Sequence, residues 1–199
     1  MKSNVCRIEK GTLDLAAILK ESEKVAVYNE LTHKQALQLR LLCEEVDGML
    51  PRIVDEFDGE LCIEFVDGVC RVNVSVWLDE FTVEKKEALI AVAKNKKNAA
   101  AVGIVGKIRS GLENVFLDEE ALRLGAMASG PFHTATGYVE GVDFSYFWSL
   151  DQYRCSIVKE EQAEAWDELE KSVIASVADD VIVGVKGKQV DIVIVKKFA

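Results

Sequence analysis

The sequence predicts an α+β fold, a two-layer sandwich in which helices cover one face of a mostly antiparallel mixed sheet. Three observations carry the prediction. Alternating apolar and polar residues flank tight turns at Asp67-Gly68 and at Gly187, as antiparallel hairpins require. Apolar residues recur every three to four positions in several stretches between them, the spacing of helices buried along one side. Finally, 49% of the 199 residues are hydrophobic, enough to bury a substantial core without disulfide or metal staples, so the chain is expected to form a single domain.

Taken in order, "NVCRIE" at residues 4–9 alternates in polarity and suits a short edge strand. "TLDLAAILKESEKVAVYNEL" at residues 12–31 has helical spacing, with Thr12 as its expected cap. A second helix is expected over Thr32–Val54, capped by Thr32, with Leu39, Leu42, Val46, Met49, Leu50 and Ile53 as its buried stripe. Pro51 predicts a kink or an end near Leu50. "GELCIEFVDGVCRVNVSVW" reads as a hairpin turned by Asp67-Gly68. Thr82 opens an expected helix, and a further one spans Ala99–Phe116, in which Gly103, Gly106 and Gly111 demand a reason. Each glycine costs a helix about 1 kcal/mol relative to alanine, so either a backbone or ligand comes close or the helix starts later. Residues 118–143 carry four glycines and weak periodicity and are expected to be a loop. "FSYFWSLDQYRCSIV" at residues 144–158 alternates like a half-exposed strand, and "KEEQAEAWDELEKSVIASVAD" at residues 159–179 reads as one helix with acids in its first turn. The chain closes on two strands around Lys186-Gly187-Lys188.

Charge narrows the partners. A formal net charge of −10 repels a phosphate backbone over most of the surface and argues against nucleic-acid binding. One segment runs the other way: Glu84 to Arg109 holds seven basic residues against two acids. No apolar run approaches the roughly 18 residues of a membrane span, so neither a membrane nor a secretory route is expected, and the location expected is the cytoplasm. Cys6, Cys43, Cys62, Cys70 and Cys155 are scattered without a paired spacing and read as reduced core thiols rather than metal ligands.

The remaining chemistry-bearing residues each have a plain structural reading. Glu44 and Glu45 could act as a general base and its neighbour, but an exposed helix face with Glu44 paired to Arg40, four residues back, is favoured. Gly103, Gly106, Lys107 and Arg109 are the strongest anion-site candidates, against a glycine face packed tightly on the sheet. The spacing in "GIVGKIRS" excludes a Walker A loop. His33 and His133 have no nucleophile beside them in sequence, and the Trp77, Trp148, Trp166, Tyr146, Phe147 and Tyr153 aromatics are expected to pack inside.

The Thr32–Val54 helix followed by the hairpin resembles the histidine-kinase-like ATPase fold in its short bacterial form, the anti-sigma-factor serine kinases. In that family a helix carries a Glu-x-x-x-Asn box whose glutamate activates the attacking group and whose asparagine holds Mg²⁺ against the ATP phosphates. Laid over "EEVDG", the resemblance puts Glu44 at the glutamate and Gly48 at the asparagine. Glycine offers a hard cation no side-chain oxygen, and Asp47 is rotated by about 100° around the helix. Asp79 falls where the family's adenine-reading aspartate sits, without that box's glycines, while Gly103, Gly106, Lys107 and Arg109 echo the phosphate-holding lid. Residues 118–160 form an insertion relative to the family.

What the resemblance implies is a regulatory protein-binding module on a degenerate ATPase fold, without efficient ATP turnover. A sigma factor or an anti-sigma antagonist would be its partner, and a homodimer its assembly. The alternative implied is an active ATP-dependent serine kinase in which Asp47 or a water replaces the asparagine and the Lys85–Arg109 region closes over the triphosphate. Gly48 itself reads either as the relic of a lost asparagine or as a small residue that lets another backbone pack against the helix.

Overall fold

The computed structural model describes residues 1–9, 14–54, 57–77, 103–117, 132–134, 137–139, 146–157 and 163–198. Strand β1 (Cys6–Glu9) is followed by helices α1 (Leu15–Tyr28) and α2 (His33–Ile53), then by the hairpin of β2 (Asp58–Val66) and β3 (Val69–Trp77). Helix α3 (Gly103–Leu117), the short strands β4 (Phe132–Thr134) and β5 (Gly137–Val139), and β6 (Tyr146–Ser149) come next. Helices α4 (Leu150–Ser156), α5 (Ala163–Lys171) and α6 (Val173–Val177) lead into the closing hairpin of β7 (Asp180–Lys186) and β8 (Gln189–Lys197).

The chain is therefore a mixed helix-and-sheet structure of the α+β class. Six strands form one sheet in the order β1-β2-β3-β8-β7-β6. Every neighbouring pair is antiparallel, so the mixed component expected from the sequence is absent among the described strands. The central hairpin turns where expected: Asp67 and Gly68 adopt φ of 49° and 78°, and two successive left-handed residues give the turn whose twist matches the flanking strands. Leu61, Val74, Ile192 and Val183 make one cross-strand row and Ile63, Val72, Ile194 and Val181 the next. All eight are at most 1% exposed and face the buried stripes of the helices, each contributing on the order of 1.5–3 kcal/mol by leaving water. Behind β2 and β3 the other face carries Glu60, Cys62, Glu64, Arg71, Asn73 and Ser75 and is partly open to solvent. At β7 both faces are buried, because Asp180, Ile182 and Gly184 are covered as fully as Val181, Val183 and Val185. Single-sided coverage thus describes only part of the sheet.

Several boundaries differ from expectation. The cap of α1 is Asp14, not Thr12: its carboxylate accepts from the Ala17 N–H at 3.0 Å, and Thr12 lies outside the described residues. Helix α2 runs three residues past Leu50 despite Pro51, because a proline in the last turn forfeits only the bond to the Asp47 carbonyl while Ile53 and Val54 beyond it are buried. The expected strand over residues 144–158 stops at Ser149, whose hydroxyl accepts from the Gln152 N–H at 3.4 Å and starts α4 instead. Ser172 likewise interrupts the expected helix over residues 159–179, capping α6 through the Ala175 N–H at 3.3 Å. Within the expected loop at residues 118–143, β4 and β5 pair as a two-stranded ribbon, and the rest of that segment lies outside the described residues. The helix expected after Thr82 also lies outside them. No helix among the described residues is long and apolar enough to cross a membrane.

Candidate functional site

Helix α2 is the element on which the candidate chemistry rests. A reciprocal cap fixes its start: the Thr32 hydroxyl accepts from the Gln35 N–H at 3.4 Å, while the Gln35 side-chain oxygen accepts from the Thr32 N–H at 2.9 Å. With Leu39, Leu42, Cys43, Val46, Met49, Leu50 and Ile53 buried, the periodicity leaves the stripe Arg40, Glu44, Gly48, Arg52 pointing outward. The Arg40 guanidinium donates to Glu44 at 3.0 Å and reaches Glu23 on α1 at 3.4 Å. Glu44 is therefore held toward α1 in the ion pair favoured from sequence.

Gly48 is exposed, and a Cβ built on it meets nothing within 4 Å. Among the described residues, then, no other backbone packs closely against this glycine. Among the described residues no cluster of three or more His, Cys, Asp or Glu side chains could hold a metal ion. Asp47 is half-buried and forms no ion pair among the described residues.

Helix α3 supplies the candidate anion residues. Its described part opens at Gly103, whose φ of +75° is a left-handed conformation that glycine adopts without strain, and residues 99–102, where the sequence pattern places the start, lie outside the described residues. Gly106 is buried and Lys107 exposed. Arg109 donates to the Arg52 carbonyl at 3.2 Å, placing its charge at the C-terminal end of α2, where the helix dipole is negative. One residue of the anion set is thus brought beside the helix of Glu44 and Gly48, but as a cap on its last turn. Gly111 has a separate reason: a Cβ there would fall on the Tyr146 hydroxyl and lie 2.9 Å from its ring Cε2. Asp79 lies outside the described residues, as do Lys85 and the rest of the basic segment up to residue 102.

Other polar groups are structural. Asp180 is 0% exposed, and its carboxylate accepts from the Ser149 hydroxyl at 3.0 Å and from the N–H groups of Asp151 and Val181 at 3.0 and 2.8 Å. Arg154 donates to the carbonyls of Asp179, Ala178 and Ala175, so the two residues fasten α4 and α6 to β7. Sequence reading missed this network, although the Ser149-x-x-Gln152 spacing is a helix-start signal. Glu21 accepts from Lys24 and from Asn4, and the Lys24 ammonium holds its carboxyl below the usual range, with burial opposing.

The thiols are free. Burial pushes Cys43 well above the ordinary thiol range and Cys70 up to about 12. Cys155, expected inside, is exposed on α4. Tyr146, Trp148, Tyr153 and Trp166 pack against the core as expected, whereas Trp77 is 43% exposed at the end of β3. His33 is exposed at the first turn of α2, and nothing is described of the His133 side chain. Comparison of the chain with protein-family models, with curated proteins and with solved structures found no match.

Proposed function

We propose that the chain is a regulatory protein-binding module on a degenerate histidine-kinase-like ATPase fold, acting in the cytoplasm by contact with a sigma factor or an anti-sigma antagonist and without efficient ATP turnover. The observation that supports it most is Gly48: at the position where the resembled kinases place a metal-holding asparagine, the helix carries no side-chain oxygen. Mg²⁺ demands near-octahedral oxygen ligands, and phosphoryl transfer relies on that ion to neutralise the charge developing between the phosphates. Glu44, the residue that would activate the attacking group, is committed to Arg40. Arg109, offered as a phosphate clamp, instead donates to the Arg52 carbonyl.

Isothermal titration of the whole chain with ATP, with and without Mg²⁺, tests the reading. The expected result is no saturable heat up to millimolar nucleotide in either condition. Micromolar binding that requires Mg²⁺ would overturn it in favour of the active serine kinase with unusual ligands.

A further inference from the structure

We draw no further inference here: the strongest candidate, the exposed apolar patch of Met1, Val27, Tyr28 and Leu37 at one end of the α1–α2 hairpin, carries nothing because nothing in the structure shows what covers it.

Discussion

Replacing Gly48 with alanine should make the protein more stable, and the size of the gain follows from three local facts. The residue lies inside α2 with ordinary helical backbone, so alanine needs no conformational change. Its new methyl group meets nothing within 4 Å among the described residues, so no packing cost from them opposes the substitution. The position is exposed, so the methyl buries no apolar surface either. What remains is the backbone term: alanine is better than glycine in a helix interior by about 1 kcal/mol, largely because it narrows the unfolded ensemble. That is about a fivefold shift in the folded-to-unfolded ratio and about 2–4 °C in Tm for a domain of this size. Urea melts of both chains measure it, read as a rise in midpoint at constant slope. A midpoint that stays put or falls would mean that another body packs on this turn, and the description of Gly48 as an open gap would be wrong.

Gly111→Ala should act in the opposite sense. The same backbone gain is outweighed by a methyl driven into the Tyr146 ring, with a net loss of up to about 2 kcal/mol that Tyr146→Ala in the same chain partly relieves; two independent losses would refute the contact. Asp180→Ala strips the Ser149 hydroxyl and the N–H groups of Asp151 and Val181 of their acceptor and should cost more than about 3 kcal/mol in chemical denaturation; a loss under about 1 kcal/mol would show that the network is idle. Iodoacetamide at neutral pH should label Cys155 in the folded chain and spare Cys43 and Cys70, since thiolate is the reactive form; equal labelling of all three refutes their burial. The stability tied to the buried thiols is fully present below the unfolded thiol value of about 8.5 and lost as pH rises toward the folded value, about 12 for Cys70. Cys70→Ala should therefore flatten the alkaline limb of the stability profile.

The sequence showed most clearly those features whose cause is local. The Asp67-Gly68 turn, the Thr32 cap and the buried stripe of α2 each depend on residues within a few positions, and each stands where the pattern put it. Two of the departures share a cause in serine. Ser149 and Ser172 sit inside stretches whose apolar spacing continues past them, yet each hydroxyl captures an N–H three residues on and begins a new helix. Periodicity averages over such a residue, while capping responds to it alone. Gly111 was recognisable as an anomaly but not as a contact, because Tyr146 is distant in sequence and only the sheet brings it to α3. Buried Asp180 was equally illegible: nothing around "ADDVIV" distinguishes a carboxylate that fastens two helices to β7 from a solvated one.

Two features of α2 bear on the proposed lack of ATP turnover, and their magnitudes differ. The Arg40–Glu44 pair is partly exposed, with both side chains more than a third open to solvent, and such pairs contribute about 0.3–0.5 kcal/mol at helical spacing. A bound substrate could free Glu44 at that cost, so the ion pair alone is a weak reason to deny it a catalytic role. Gly48 is a different kind of deficit. No rotamer change supplies an oxygen at a position without a side chain, and Asp47 projects about 100° away around the helix. Water could stand in for a side-chain ligand there, but Mg²⁺ bound mostly by water gains little positioning from the protein, and catalysis of phosphoryl transfer is largely positioning. The proposed lack of turnover therefore follows from the glycine and hardly at all from the salt bridge.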